Sequence, residues 1–496
     1  MTAPTAPGRG RVVVIGAGLS GLACALHLLG AGRDVTILER DPHPGGRAGR
    51  LDLGGFRFDT GPTVLTMPEL LEEALAAVGE TVADRLDLVP LRPAYRAAFA
   101  DGSTIDVHTD ADAMAAEVAR TAGEREADGY LRLRDWLTRL YRAEMGTFID
   151  AQFDSLLDLA RPDLLRLAAL GGFGRLSTAV GRHVRDERLR RIFSFQALYA
   201  GVAPRRALAA YAVIAYMDTI AGVYFPRGGM RALGDALAGA AAKAGAVLRY
   251  GDAVTDLERR GDRVTAAVTA SGERFPCDQV VVTADLPAAY RLLGVAPRRR
   301  VPLRFSPSAV VLHLGVDRNW ERLHHHTISF GAAWDRTFDE IIRRGRVMSD
   351  PSLLVTRPTH TDPTLAPEGH QSLYVLAPAP NLAAGPIDWD TEGPRYRDRL
   401  VATLEERGLT GLDASVRAEH LVTPADWARQ GLARGTPFSL AHTFSQTGPF
   451  RPRNTVPGLA NVALAGCGTT PGVGLPTVLI SGKLAAARVV ARTGGR

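Results

Sequence analysis

A G-x-G-x-x-G pattern of three glycines, with an acidic residue downstream, gives this sequence its clearest chemical signal. The glycines are Gly16, Gly18 and Gly21, and the acid is Glu39, 23 residues after Gly16. In such a pattern the first glycine permits a tight turn, the second lets the backbone approach a pyrophosphate, and the third lets a helix pack closely on a strand. The acid accepts hydrogen bonds from ribose hydroxyls. The spacing therefore predicts a dinucleotide-binding turn.

The elements around this turn have the order that such a site needs. Val12 to Ile15 is an all-apolar, β-branched run that predicts a buried strand, and the following apolar residues predict a helix from about Leu19 to Ala31. A second buried strand is predicted at Val35 to Leu38, which ends beside Glu39. The N-terminus of the helix would then point its free N–H groups at the phosphates.

The residues after Glu39 distinguish between dinucleotides. A carboxylate at position 39 disfavours the 2'-phosphate of NADP. The chain continues with Pro44-Gly45-Gly46-Arg47 and then a glycine-rich path from Gly54 to Thr63, instead of another crossover helix and strand. This path suits a longer ligand, namely FAD. Arg47 is expected to meet a phosphate and Gly61 and Thr63 to approach the flavin ring, with Arg40 and Gly46 completing this part of the predicted site.

A second glycine-rich turn occurs near the C-terminus. Asn461 to Ala465 predicts a short buried strand, and a turn from Gly466 to Pro476 leads into a helix that ends at about Arg492. The partial positive charge of a helix N-terminus favours an anionic reduced flavin by about 0.3 to 1 kcal/mol. We therefore predict that this turn also contacts the cofactor, through Gly466, Gly468, Gly474, Leu475 and Pro476.

Composition excludes several classes of protein. The chain has 496 residues, of which 46% are hydrophobic and 23% charged, which is typical of a soluble globular protein with two or three domains. The net charge of +6 is too small to indicate a nucleic-acid partner. Three widely spaced cysteines predict neither a disulfide framework nor a zinc site, and they fit a reducing cytoplasm.

These motifs, with others further along the chain, resemble the bacterial and fungal type of phytoene desaturase, within the FAD-dependent amine oxidase-like flavoproteins. The resemblance covers nearly the whole chain. Its more specific pieces include Phe58 to Thr63, Tyr224 to Gly229, Tyr374 to Pro378, Phe450 to Pro452 and Gly472 to Pro476. At position 470 this chain has Thr where the family commonly has His, a difference that concerns substrate choice and the number of desaturation steps.

The resemblance implies an α/β fold with a Rossmann-type FAD-binding domain assembled from discontinuous segments, an α+β substrate domain and a helical membrane or tunnel insert. The predicted divisions are residues 1–67, 223–300 and 456–496 for FAD binding, 68–222 for the helical region and 301–455 for the substrate domain. In the middle FAD-binding segment, the backbone of Val254 is expected to meet the adenine.

The resemblance also implies a reaction: FAD-dependent desaturation of a linear C40 carotene, from phytoene towards neurosporene or lycopene, with oxygen or a quinone as electron acceptor. The sequence contains no convincing acid/base pair, so the catalytic side chains are unassigned. His324, His325 and His326 are adjacent and cannot all point one way, which favours a solvent-facing or pocket-edge cluster over a metal site.

Because a carotene dissolves only in membrane, the protein is expected to be cytoplasmic and peripherally associated with the cell membrane. The candidate docking region is the helical insert, from about Pro68 to Ile220. Within it, Arg182 to Phe193 mixes arginines with apolar residues, as an interfacial helix does, although a surface helix with a buried stripe has the same pattern. The oligomeric state is not predicted.

Other readings of the sequence stay open. Within FAD chemistry they are a later carotenoid desaturase, a carotene isomerase and an amine oxidase, of which the last lacks an evident aromatic pair in the final hundred residues. A non-enzyme reading is a lipid-escort protein of the Rab dissociation-inhibitor type, which shares this fold without a flavin. The complete set of glycines with Glu39 and Arg47 argues against that reading.

Overall fold

The computed structural model describes residues 10–155, 158, 161–296 and 301–493. The described residues form nineteen strands: β1 Arg11–Ile15, β2 Asp34–Leu38, β3 Arg50–Leu53, β4 Phe56–Asp59, β5 Leu88–Pro90, β6 Tyr95–Phe99, β7 Thr104–Val107, β8 Tyr224–Pro226, β9 Val247–Arg249, β10 Val254–Arg260, β11 Arg263–Thr269, β12 Arg274–Pro276, β13 Gln279–Val282, β14 Ser308–Val316, β15 His326–Phe330, β16 Leu353–Thr356, β17 Gln371–Ala379, β18 Val416–Val422 and β19 Val462–Leu464.

The same residues form sixteen α-helices: α1 Leu19–Gly30, α2 Glu69–Ala76, α3 Val82–Arg85, α4 Ala111–Ala122, α5 Glu124–Glu144, α6 Pro162–Ala169, α7 Leu176–Gly181, α8 Glu187–Ile192, α9 Val213–Tyr216, α10 Arg231–Lys243, α11 Leu286–Leu292, α12 Asp335–Ile342, α13 Trp389–Glu406, α14 Leu412–Ser415, α15 Pro424–Arg429 and α16 Leu475–Thr493. None of these helices is long and apolar enough to cross a bilayer.

A five-stranded parallel sheet collects segments from three distant parts of the chain. Its order is β19-β13-β1-β2-β9, with Val13 of β1 opposite Val280 on one side and Thr36 on the other. One face packs on α1, α10 and α16, and the other packs on the antiparallel sheet β10-β11-β12. This arrangement confirms the predicted Rossmann-type α/β fold assembled from discontinuous segments.

A seven-stranded sheet of order β18-β14-β17-β16-β15-β6-β7 forms the second layer. All its pairings are antiparallel except that of β15 with β6. Strands β6 and β7 form a hairpin around Asp101-Gly102, and they extend a sheet whose other strands lie between residues 308 and 422. The domain boundaries given above stay a prediction, and their ends at residues 1–9, 297–300 and 494–496 lie outside the described residues.

The contact between α1 and α16 joins the two ends of the chain. A Cβ placed on Gly482 would lie 2.3 Å from the carbonyl oxygen of Ser20 and 2.9 Å from the backbone nitrogen of Cys24. Only glycine permits this approach, which holds α16 against the helix that follows the G-x-G-x-x-G turn.

We predict that Gly482→Ala lowers the free energy of unfolding by about 1 to 3 kcal/mol, since the added methyl group overpacks this crossing. Gly146→Ala is the matched control, because a Cβ there has open space around it among the described residues. Urea unfolding of the two variants measures the difference. Equal stability of both would contradict the packing argument.

His313 on β14 makes folding stability sensitive to acid. The ring is fully buried, with Nε2 3.1 Å from the carbonyl oxygen of Asp59, and burial lowers the pKa of His313 to about 4. The unfolded chain takes up this proton near pH 6.5, whereas the folded protein resists it down to about pH 4. Stability from this group is therefore lost as the pH falls through that window.

We expect His313→Gln to reduce the loss of unfolding free energy by up to about 1.4 kcal/mol per pH unit between about pH 6.5 and pH 4. Urea unfolding of wild type and variant at several pH values across this window provides the comparison. An unchanged slope would rule out His313 as a contributor.

Candidate functional site

The G-x-G-x-x-G turn leaves an anion-binding helix end open. Gly16 has a φ of +106°, and a Cβ on Gly21 would lie 2.0 Å from the carbonyl oxygen of Gly16. Gly18 precedes α1 in an extended conformation, and no side chain of the described chain caps this helix. The free N–H groups of the first turn are thus available to a phosphate.

Gly18 passes a direct test of whether a pyrophosphate fits. Its φ of -68° is acceptable to any residue, and the nearest atom to an added Cβ is the Cα of Gly46, 4.0 Å away. Neither the backbone nor the surrounding protein therefore requires glycine at this position. The second glycine of the pattern keeps space free for something other than protein, as a pyrophosphate requires.

The segment around Gly45 and Gly46 lies directly against this turn. Gly18 and Gly45 form a parallel bridge, and the backbone N–H of Gly45 donates to the carbonyl of Ala17 at 2.9 Å. Both Gly45 and Gly46 have positive φ. The two glycine-rich loops predicted to contact the cofactor are thus adjacent.

Glu39 is buried at the end of β2 and faces the turn. Its Oε2 accepts the N–H of Ala17 at 2.6 Å, and its Oε1 accepts the N–H of Asp41 at 3.0 Å. Each carboxylate oxygen has a further lone pair with which to accept a ribose hydroxyl. Asp252 donates its N–H to the carbonyl of Glu39 at 3.1 Å, which brings the start of β10, with Val254, near this end of the site.

Arg47 has protein partners in this structure. Its guanidinium donates to Oδ1 of Asp285 at 3.0 Å and to the carbonyl of Pro437 at 2.8 Å. Asp285 follows β13 at the carboxyl edge of the parallel sheet, where ligands of such sheets bind. The predicted phosphate contact of Arg47 stays a prediction. Arg40 is exposed and donates to the carbonyl of Gln430 at 2.9 Å.

Gly61 and Thr63 have different surroundings. A Cβ on Gly61 would lie 1.9 Å from the carbonyl oxygen of Arg47, so this glycine permits close packing of two backbone segments. Thr63 is buried and accepts a hydrogen bond from the Thr356 hydroxyl at 3.4 Å. Thr63 therefore adjoins the seven-stranded sheet, and its flavin contact stays a prediction.

The C-terminal turn reaches the same edge of the parallel sheet. A Cβ on Gly466 would lie 3.5 Å from Oγ of Ser20, and one on Gly468 would lie 2.6 Å from Leu286. Gly474 has a φ of +126° and accepts the Thr477 hydroxyl at 3.0 Å, and Leu475 and Pro476 begin α16. Thr470 is buried, and its hydroxyl donates to the carbonyl of Pro452 at 3.3 Å.

Two residues that support the site, Thr283 and Arg451, were not among the predicted site residues. Thr283 follows β13, and its hydroxyl donates to the carbonyl of Ile15 at 2.9 Å, beneath the first glycine of the pattern. Arg451 is fully buried and donates to the carbonyls of Thr469 at 2.9 Å and Cys467 at 2.5 Å, which fixes the C-terminal turn. The available signals were the position of Thr283 after a predicted strand and the place of Arg451 in the motif Phe450 to Pro452, whereas the partners of Arg451 depend on tertiary structure.

A family model described as flavin containing amine oxidoreductase matches residues 19–490. A phytoene dehydrogenase of Streptomyces griseus is 69% identical over 480 residues, which is 96% of this chain and 94% of that protein. A zeta-carotene-forming phytoene desaturase of Myxococcus xanthus is 37% identical, with 97% and 94% covered. A lycopene-forming phytoene desaturase of Pseudescherichia vulneris is 36% identical, with 97% and 99% covered.

Solved structures share the fold at low identity. An oxidoreductase from Methanosarcina mazei has a TM-score of 0.63 at 16% identity, with 96% of this chain and 99% of that chain covered. Cyclohexylamine oxidase from Brevibacterium oxydans has a TM-score of 0.60 at 16% identity, with 98% and 99% covered. Rab GDI from Plasmodium falciparum has a TM-score of 0.56 at 12% identity, with 98% of each chain covered. These likenesses concern the fold alone.

We predict that Gly18→Ala weakens FAD binding at least about tenfold, because the methyl group occupies the space left for the pyrophosphate. The unfolding free energy of the apoprotein should change by less than about 0.5 kcal/mol, since backbone and neighbours accept the residue. FAD titration and urea unfolding without FAD measure the two quantities.

Gly21→Ala is the contrasting variant, because its Cβ would meet the Gly16 carbonyl. It should lose apoprotein stability as well as FAD affinity. Normal FAD affinity in Gly18→Ala would show that the cofactor phosphates lie elsewhere.

Proposed function

This chain belongs to the flavin containing amine oxidoreductase family, among its phytoene desaturases, and from that premise we propose that it desaturates phytoene towards neurosporene or lycopene. It is an oxidoreductase with FAD as its cofactor. The observation that carries the substrate proposal is the 69% identity to a phytoene dehydrogenase over 96% of the chain. The identity of the carotene substrate and of its products is the part of this proposal that has to be tested.

FAD, when bound, supplies the two-electron oxidation by accepting a hydride from an allylic carbon of the polyene. The protein has to bind the cofactor and align an apolar chain beside it. Backbone N–H groups at α1, with Glu39, would hold the dinucleotide, and the turn from Gly466 to Pro476 would hold its flavin end. Oxygen or a quinone would then remove the electrons.

We further propose that the protein takes its substrate from a bilayer surface through an exposed apolar surface made of Leu165, Phe173, Phe444 and Phe450. These side chains are 38% to 75% exposed, with Leu165 the most exposed of the four. Such exposure of large apolar side chains is costly in water and marks interaction surfaces.

Two contacts bring the halves of this surface together. The carbonyls of Gly172 and Gly174 accept the N–H groups of Ala210 and Ala209, at 2.8 and 2.9 Å. The next residue, Tyr211, makes a hydroxyl–hydroxyl contact with Thr447, between Phe444 and Phe450. Each half also carries a basic residue, Arg161 in one and Arg453 in the other. Both arginines lie close enough to the carboxylate of Asp158 to attract it electrostatically. Arginines beside apolar side chains suit an anionic lipid surface.

For the segment from Arg182 to Phe193, the sequence left open an interfacial helix and a surface helix with a buried stripe. Leu189, Arg191 and Ile192 of α8 are buried, and the Arg191 guanidinium donates to the carbonyl of Gly331 at 2.7 Å. This segment therefore fits the alternative of a helix with a buried stripe. The proposed docking surface is formed instead by residues 161–175 and 444–453.

Anaerobic incubation of the FAD-loaded protein with phytoene in liposomes tests the reaction. We expect loss of the visible flavin absorbance and, on extraction, carotenes with longer conjugated systems, whose chromatography gives the number of steps. Unchanged flavin and unchanged phytoene would overturn the proposed substrate and favour a later carotenoid or an isomerisation.

The docking surface is tested by flotation with anionic vesicles. Leu165→Ser and Phe444→Ser should each weaken vesicle binding roughly tenfold, because each removes an apolar side chain worth about 1.5 to 3 kcal/mol on burial. Val301→Ser is the control, since Val301 is also exposed, at 47%, and lies outside this surface. Equal binding by all three variants would refute the assignment of the surface.

A further inference from the structure

The adjacent histidines singled out in the sequence do not form an accessible site. His325 and His326 are each only 2% exposed, so this pair is interior and not solvent-facing, as the sequence had suggested. Their Nδ1 atoms lie 2.7 Å from the hydroxyl of Thr361 and 2.9 Å from that of Thr356. These contacts tie both rings to the protein itself.

Residues 430–438, here called the strap, connect the seven-stranded sheet with the predicted cofactor site. On the side of that sheet, the N–H of Leu382, which follows β17, donates to the carbonyl of Arg434 at 3.0 Å. The Thr436 hydroxyl donates to the carbonyl of Pro307, just before β14, at 2.8 Å. The strap is therefore anchored on the sheet that lies opposite the cofactor loops.

Two arginines of the predicted cofactor loops donate to carbonyls of the strap. Nη2 of Arg40 lies 2.9 Å from the carbonyl oxygen of Gln430, and Nη1 of Arg47 lies 2.8 Å from that of Pro437. Arg40 is next to Glu39, the predicted ribose ligand, and Arg47 ends the second glycine-rich loop. The strap thus contacts the chain between β2 and β3 at two points.

Asp285 supplies a third attachment, which is ionic. Its Oδ1 accepts a hydrogen bond from Arg47 at 3.0 Å, its Oδ2 accepts the N–H of Ala433 at 3.1 Å, and its side chain is only 6% exposed. Asp285 precedes α11, where an aspartate commonly caps the helix. Within the described chain its carboxylate makes no such capping bond. The carboxylate is instead committed to Arg47 and the strap.

The order of the parallel sheet shows what lies beneath the strap. In that order β1 lies between β13 and β2. Asp285 follows β13 and Arg40 follows β2, so the strap links the two loops that flank the carboxyl end of β1. These two strands lie about 10 Å apart, since neighbouring strands are spaced by about 4.8 Å. The G-x-G-x-x-G turn, where a pyrophosphate is expected, follows β1 between them.

We propose that the strap closes over the pyrophosphate of bound FAD and that Asp285 is the latch that keeps it closed. Asp285 is a positioning residue, since it acts on the cofactor through Arg47 and Ala433. The latch joins protein groups alone, so it forms with or without FAD. FAD must therefore wait for the strap to open both when it binds and when it leaves. This inference concerns the cofactor and is independent of which carotene is the substrate.

The first test is Asp285→Asn, which removes the charge and one acceptor atom with little change in shape. We expect the rate constants of FAD association and FAD release both to rise about tenfold, as for loss of one hydrogen bond to a charged group, while Kd changes less than about threefold. Stopped-flow flavin fluorescence with FAD-free protein measures association. Exchange of radiolabelled FAD for unlabelled FAD measures release.

Asp278→Asn is the matched control. Asp278 lies just before β13, at the other end of the strand that Asp285 follows. It too accepts a backbone N–H, that of Arg11 at 2.9 Å, and pairs with the Arg11 guanidinium at 3.6 Å. The change in charge is the same, but it is at the edge of the sheet away from the strap. Both rate constants should stay within about twofold of wild type.

A second variant weakens the latch and leaves the ion pair of Arg47 with Asp285 in place. Ala433→Pro removes the N–H that donates to Asp285. Leu432 before it is extended, with φ -83° and ψ 123°, which is the conformation that a residue before proline needs. Association and release should both become about threefold faster. This variant decides the matter if Asp285→Asn fails to fold.

The two rate constants together distinguish a latch from a simple contact. A parallel rise in both, with Kd nearly constant, supports the strap as the element that opens. Faster release with unchanged association would mean that Asp285 contributes to affinity alone, and it would overturn the proposal. Wild-type rates in both latch variants, or an equal effect of Asp278→Asn, would overturn it as well.

Discussion

The close approach of α1 to the end of β1 is the constraint on which the rest of the molecule depends. Because Gly21 lies against the carbonyl of Gly16, the helix starts directly above the strand, and its uncapped N–H groups collect at one point. Glu39 and Gly45, from two other parts of the predicted cofactor site, contact the glycine-rich turn at this helix N-terminus. Glu39 holds the turn through Ala17, and Gly45 bridges to Gly18.

The C-terminal segment is then fixed by the same helix. Gly482 lets α16 cross α1 at backbone distance, so the turn before α16 must lie near the turn before α1. Arg451 completes this arrangement. Its buried guanidinium donates hydrogen bonds to two backbone carbonyls of the turn, those of Thr469 and Cys467, and so holds the turn together. The predicted cofactor residues from the two ends of the chain are thus brought to one edge of the parallel sheet.

Local pattern was enough to predict the strands and helices that flank the two glycine-rich turns. The β1–α1–β2 sequence and the final strand and helix depend on apolar periodicity and turn residues, which are local properties. Pairings over long distances were not predictable in this way. The parallel pairing of β6 with β15 and the ion pair of Arg47 with Asp285 join segments more than two hundred residues apart. Charge and spacing left two alternatives open at Arg182 to Phe193, since they do not reveal which face of a helix becomes buried.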